Sequence, residues 1–232
     1  MPFYDWTIIL LIPAIILGIY AQARVSGAYK KYSEVTNRRG LTGADIARAI
    51  LAAENIRDVQ VTSIAGQLTD HYDPRTKTLA LSSGVINSRS LAAAGIAAHE
   101  TGHAIQHAHG YAPMGLRSAL VPAANFGSRL AMPLILGGFL LSYMAGEFGV
   151  TLIYIGIALY AVAVLFTLVT LPVEFNASNR AMRLLATTGV LEPDELVPAK
   201  KVLDAAALTY VAAALSAVLT LLRFIIMSRG RD

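Results

Sequence analysis

The chain of 232 residues is 55% hydrophobic and 15% charged, with a mean hydropathy of +0.55. Soluble domains run nearer about 45–50% apolar and about 25% charged, so this balance points to membrane-spanning segments. In so apolar a chain, the net charge of +4 reads as orientation signal and contact with anionic lipid, not as nucleic-acid binding. The absence of cysteine excludes disulfides, thiolate metal sites and a cysteine nucleophile.

The first apolar stretch, Thr7 to Tyr20, is followed by Ala21-Gln22-Ala23, which resembles a signal-peptidase site. A secretory signal needs a basic segment ahead of it, and here Asp5 stands there with no Lys or Arg. Arg24, Lys30, Lys31, Arg38 and Arg39 follow at once and oppose export of what comes next. An uncleaved transmembrane anchor over residues 1–23 is therefore expected.

Residues 24–130 read as a small α+β unit. Thr42 with Asp45 three residues on predicts a capping box and a helix to about Asn55. Val59 to Thr62 and Lys77 to Ser82 alternate as strands, with turn chemistry at Asp73-Pro74-Arg75. Ser88 or Ser90 can cap a long helix from about Leu91 to Ala108, stopped by Gly110 and Pro113.

Three further apolar spans are expected. One covers about 131–145 and is short unless residues before Arg129 extend it. The next, Val150 to Leu171, carries no charge. The last covers about 208–226, with Arg223 able to snorkel at its end. The few residues around Gly146 and Glu147 join the middle two as an antiparallel pair. Gly137-Gly138 and Gly156 allow close helix contacts, within one chain or between copies, so a homo-oligomer or a scaffold partner stays open.

Charge sets the orientation. Residues 24–129 carry 12 Lys or Arg, and Arg180, Arg183, Lys200 and Lys201 follow the third span. The 146–149 loop has none, so both larger polar regions are expected in the cytoplasm of a multi-pass plasma-membrane protein. Four spans leave Arg229 and Arg231 outside, against the rule. Either the tail is tolerated there or the last segment is a hairpin or interfacial helix. The chain thus divides into an anchor (1–23), a cytoplasmic α+β catalytic region (24–130), a transmembrane hairpin (131–172), a cytoplasmic helical region (173–207) and a C-terminal transmembrane helix with its tail (208–232).

The chemistry centres on His99-Glu100-Thr101-Gly102-His103. On a helix, residues i and i+4 share a face one turn apart, so two imidazoles can bind one zinc ion. The glutamate between them is placed to polarise the remaining water and shuttle its proton. A catalytic zinc usually takes a third protein ligand. His109 has the spacing of a longer zinc motif, but that motif needs a glycine where Gln106 stands. His107 continues the face of His103 yet lies about 12 Å along the axis from His99, which suits a supporting or exposed role. Glu174 is the stronger choice. An acidic residue at the edge of a long apolar span is costly unless paired, and Pro172 lets a new helix start just before it. The plainer alternative is an interfacial carboxylate satisfied by water or by Arg180.

Three segments carry a resemblance: His99 to Gln106, Thr69 to Ser82, and Leu171-Pro-Val-Glu174-Phe-Asn-Ala-Ser178. Together they resemble the YugP-like family of membrane zinc metallopeptidases over nearly the whole chain and, more distantly, the HtpX and Ste24 peptidases. The resemblance implies one zinc ion, peptide-bond hydrolysis and a glutamate third ligand at Glu174. It also implies a fold of about four transmembrane helices with a small zincin-like α+β catalytic unit. The distant relatives place an aspartate four residues after that glutamate to orient a metal histidine. Here the residue is Ser178, a weaker substitute.

In metallopeptidases of this type a strand beside the zinc helix pairs with extended substrate. Lys77 to Ser82 is the candidate, with Thr78, Leu79, Ala80 and Leu81 as its pairing residues. His71 or Tyr72 could stabilise the oxyanion, although each also suits an ordinary turn. The expected activity is endoproteolysis of membrane-proximal or membrane polypeptides, with Glu100 as the base. The rival readings are a metal transporter or sensor, for which the third span lacks acidic residues, and an inactive scaffold, which would not need Glu100.

Overall fold

A computed structural model describes residues 6–229. Asp5 and Arg231, used above to read the two ends, lie outside the described residues. A 3-10 turn at Trp6–Leu11 leads directly into α1 (Ile12–Ser33). There follow α2 (Gly43–Ala53), β1 (Gln60–Ile64), β2 (His71–Asp73), β3 (Thr78–Ser82) and the short α3 (Ser83–Ile86). The helices α4 (Leu91–Ala108), α5 (Ala112–Ala145), α6 (Glu147–Thr187) and α7 (Leu196–Arg229) complete the chain. The fold is mainly helical with one three-stranded sheet.

Among the described residues, four helical segments are long and apolar enough to cross a membrane: Trp6–Ser33, α5, α6 and α7. By contacts the chain forms two compact units. Among the described residues, one comprises the chain up to 20, 116–171 and 210 onward, the other 21–115 and 172–209.

In the first unit many large apolar side chains are exposed. Ile8, Ile12, Ile16, Ile19, Leu136 and Leu140 are all exposed, the reverse of a soluble surface and the arrangement a lipid solvent stabilises. The α5–α6 seam is built on small residues. A Cβ on Gly138 would lie 2.7 Å from the Gly149 carbonyl, and one on Gly156 would lie 2.9 Å from that of Ala131. The close contacts expected of these glycines are thus made within the chain. Gly137 meets open space instead. Arg223 donates from Nε to the Thr7 hydroxyl at 3.2 Å.

All three long helices outrun their expected boundaries. The α5 helix starts at Ala112, where Pro113 occupies the first turn and loses no bond by lacking an N–H. The proline expected to stop α4 therefore opens α5. The α7 helix begins at Leu196, and the Lys200–Asp204 pair at 2.7 Å lies on its first turns. The third correction concerns Pro172. No new helix begins there; α6 runs unbroken for 41 residues through it. A proline forfeits one backbone bond and crowds the carbonyl four residues back, a local loss that long apolar helices tolerate.

The second unit holds the sheet and α4. The Thr42 capping box forms as the spacing requires: the Asp45 N–H donates to Thr42 Oγ1 at 3.2 Å, and the Thr42 N–H to Asp45 Oδ2 at 3.0 Å. Of the two serines, Ser90 caps α4, accepting from the Ala93 N–H at 3.1 Å, while the Ser88 hydroxyl donates to Ser90. The α4 helix is built largely of buried alanine, with Gly95 and Gly102. Ile46 and Ile50 of α2, Leu184 and Leu185 of α6, and Leu203 of α7 pack in one apolar cluster with Ala94 and Ala98. Small side chains along α4 let its neighbours approach on several sides, which makes the motif helix an interior helix.

The strand order is β1-β3-β2, with β1 parallel and β2 antiparallel to β3. The Asp73 carboxylate accepts from the Arg75 N–H at 2.9 Å and the Thr76 hydroxyl at 3.1 Å, the side-chain turn expected at Asp73-Pro74-Arg75. His71 and Tyr72, read above as suited to a turn, lie instead in strand β2.

Candidate metal centre

His99 and His103 stand one turn apart on α4, 9% and 7% exposed, with ring centroids 4.9 Å apart. Glu174 reaches them from α6 and is 2% exposed. Its Oε2 lies 3.2 Å from His99 Nε2 and 3.5 Å from His103 Nε2. One donor atom from each of the three residues falls within 4.8 Å of the others. Glu174 therefore projects from the interior of a helix and not from a first turn.

The remaining ring nitrogens are engaged elsewhere. His99 Nδ1 lies 3.0 Å from the Ser178 hydroxyl, four residues after Glu174 and so on the same face of α6. His103 Nδ1 lies 3.0 Å from Gln106 Oε1. With both Nδ1 atoms held, the two Nε2 atoms converge with a carboxylate oxygen. Two imidazole nitrogens and one carboxylate oxygen form a donor set that suits zinc, so the residues present fit such an ion.

Glu100 lies between the two histidines in the chain. No hydrogen bond or ion pair holds its carboxylate among the described residues, which leaves it free to handle a proton. Burial pushes its carboxyl up from the ordinary value, while the imidazoles of His99 and His103 oppose the shift.

The close approach of α4 and α6 depends on Gly102. A Cβ there would sit 2.6 Å from the Ala177 carbonyl oxygen and 3.2 Å from the Ala177 Cα, both backbone atoms that cannot swing aside. Gly102→Ala is expected to push the helices apart and cost about 1–3 kcal/mol of stability by overpacking. A shift of about 1 Å at the site can lower activity on the order of 10²-fold. Thermal unfolding and zinc titration of the variant check both effects; unchanged values would show that the helices have room.

The other sequence candidates fall into place around this cluster. His109 is outside it: its Nε2 lies 3.6 Å from Glu54, and its Nδ1 lies 3.4 Å from Arg180. His107 is also outside it, with Nδ1 2.8 Å from the Tyr72 hydroxyl. Burial, aided by Asp58 and Asp73, pushes the Tyr72 phenol up to about 12, so it stays protonated. His71 is exposed and its ring contacts the Thr69 carbonyl at 2.9 Å. Arg180 lies over the Tyr111 ring and donates from Nε to Asn176 Oδ1 at 2.7 Å.

The sheet limits where substrate could pair along Lys77 to Ser82. β3 is the central strand: Thr78 to Ala80 pair with β1 on one side and with β2 on the other. Leu79, Ala80 and Leu81 are buried. At Thr78 to Ala80, bonded on both sides, no backbone groups are left for a third partner, whereas Leu81 and Ser82 pair with β1 alone among the strands. The outer strands of the sheet are β1 and β2.

Sequence reasoning missed Gln106 and Asn176. Gln106 is 0% exposed; its Nε2 donates to the Val173 carbonyl at 2.8 Å and to Asn176 Oδ1 at 3.0 Å. The signal was a lone amide three residues after His103, and so one turn along the same helix face.

Residues 7–229 match the family described as "Putative neutral zinc metallopeptidase". The chain belongs to this family. It is also 46% identical, over 97% of its length and 98% of the relative's, to the "Putative membrane protease YugP" of Bacillus subtilis (strain 168). No solved structure matches. The zinc-peptidase family agrees with the donor set at His99, His103 and Glu174, and the membrane protease relative agrees with the four apolar helices.

Proposed function

We propose that this member of the family is a zinc-dependent endopeptidase of membrane-proximal or membrane polypeptides, seated in the plasma membrane with its site toward the cytoplasm. The observation that carries the reading is the convergence of His99, His103 and Glu174, with an unbonded Glu100 on the same helix. His99, His103 and Glu174 would hold one zinc ion. Zinc bound there supplies a Lewis acid that polarises a carbonyl and makes a water more acidic.

The chain's own groups do the rest. Glu100 takes the proton of the attacking water as its oxygen bonds to the carbonyl carbon. When the carbon–nitrogen bond breaks, Glu100 returns that proton to the leaving amine. Ser178 and Gln106 hold the two imidazoles in orientation. Extended substrate pairs with the outer edge of β2, which packs on α4 through Tyr72 and His107. Glu174 follows the apolar 150–171 stretch on one continuous helix by three residues, about 4.5 Å of rise. That spacing supports substrates at the membrane surface. The excess of Lys and Arg on both sides of the 131–172 hairpin supports the cytoplasmic orientation.

The test is metal removal. Purified full-length protein is expected to carry one zinc per chain and to cleave an unfolded, casein-like polypeptide. Chelation abolishes cleavage and added zinc restores it. Cleavage that survives complete removal of metal would overturn the reading. Bound zinc without cleavage of soluble or membrane substrates would favour the alternative, a metal-binding scaffold or transporter.

A further inference from the structure

Three buried or half-buried polar side chains form an unbroken run of hydrogen bonds ending on one ring of the site. Arg180 Nε meets Asn176 Oδ1 at 2.7 Å, Asn176 Oδ1 meets Gln106 Nε2 at 3.0 Å, and Gln106 Oε1 meets His103 Nδ1 at 3.0 Å. The direction of this run follows from chemistry. A guanidinium only donates, so the Asn176 atom it meets is the carbonyl oxygen. That oxygen accepts from the Gln106 amide as well. The Val173 backbone carbonyl, which can only accept, imposes the same orientation on Gln106 at 2.8 Å. The Gln106 oxygen is therefore the atom left for the ring, and it requires a proton on His103 Nδ1.

We propose, resting on the zinc-peptidase reading, that the Arg180–Asn176–Gln106 chain holds His103 in its Nδ1–H tautomer, leaving the Nε2 lone pair toward Glu174. Gln106 and Asn176 are positioning residues on this account, and Arg180 is the source of the chain's polarity. His99 differs. Its Nδ1 partner is the Ser178 hydroxyl, which can donate or accept, so nothing in that contact selects a tautomer. The two metal histidines are thus oriented unequally, one by a fixed amide and one by a rotatable hydroxyl. The chain also ties α4 to the segment of α6 that bears Glu174, so ring orientation and ligand approach are set together.

The test compares Asn176→Leu, Asn176→Asp and Gln106→Leu in the full-length protein. Asn176→Asp keeps an oxygen that accepts from both neighbours; Asn176→Leu removes it. One readout is the His103 tautomer in metal-free protein at a pH high enough for the ring to be neutral, from long-range proton–nitrogen correlations on labelled histidine. The other is zinc affinity by competition with a chelator. In the wild type and Asn176→Asp, His103 is expected as the Nδ1–H form with near-equal zinc affinity. Asn176→Leu and Gln106→Leu are expected to mix the tautomers of His103 alone and to weaken zinc by about 10–100-fold. Asn176→Asp behaving like Asn176→Leu would overturn the proposal, because packing and not polarity would then be at work. An unchanged tautomer and affinity in a folded Gln106→Leu would also overturn it. A wild type that binds no zinc would defeat the functional reading instead, and the metal-free tautomer still decides this inference.

Discussion

Glu100→Gln is expected to leave zinc bound and to lower peptide cleavage by about 10²–10⁴-fold, the contribution of a positioned proton-transfer group. The substitution keeps the volume and removes the negative charge and the basic oxygen. Glu100 supplies none of the three converging donor atoms, so the metal set is untouched. It makes no hydrogen bond among the described residues, so no structural contact is lost. Burial already holds its carboxyl above the ordinary value, and a neutral amide there relieves desolvation instead of adding to it. Stability should therefore hold or rise slightly while turnover falls. Zinc content, thermal unfolding and cleavage rate on one preparation separate these effects. Cleavage at the wild-type rate would remove Glu100 from the mechanism. The same variant, purified from its own cells, should retain bound polypeptides, and their identity would define the substrates.

Much of the fold was legible because its signals are local. The Thr42–Asp45 box and the Ser90 cap need only neighbouring residues, and both form as the spacing requires. The uncharged stretch from Val150 to Leu171 announces itself by length. Boundaries were less legible because they depend on what surrounds a helix. Arg117, Pro122 and Arg129 argue against a span before residue 131, yet α5 runs from Ala112 through all three. Pro172 is a breaker in isolation, but α6 continues through it because one lost backbone bond is small in so long a helix. Strand β2 escaped because three residues between turn-forming neighbours show no periodicity. That omission had a consequence: without β2, the 78–82 strand looked like an edge, and the structure makes it the centre.

The site divides in the same way. His99, Glu100 and His103 are fixed by spacing on one helix. Glu174 could be argued from the cost of a carboxylate beside an apolar span, but its partners could not, because 71 residues of chain separate it from His103. Gly102 sits between Glu100 and His103 in the motif, and its constraint, the facing Ala177 backbone, comes from α6. Gln106 first drew attention as a missing glycine. Its role depends on Asn176 and Val173, which only the packing of α4 on α6 brings to it.

Replacing Glu174 is the sharpest test of how far the centre depends on that packing. Glu174→Gln preserves shape but exchanges a charged oxygen for a neutral amide. It should weaken zinc by more than the ~10–100-fold that loss of an outer hydrogen-bond partner costs. Cleavage should fall below detection at limiting zinc. His109→Ala is the matched control. Its ring lies against Glu54 and Arg180, outside the cluster, so zinc affinity should not change. The reverse result, zinc lost from His109→Ala and kept in Glu174→Gln, would replace Glu174 by His109 as third ligand. A protein that binds zinc equally in both variants would have a centre made by the motif helix alone. The 3.2 and 3.5 Å approaches of Glu174 to the two imidazoles argue otherwise. With a carboxylate from α6 closing the site, zinc binding becomes a measure of how α4 and α6 are held together. Substitutions at Gly102 and Gln106, neither of which donates to the cluster, should therefore also register in zinc affinity.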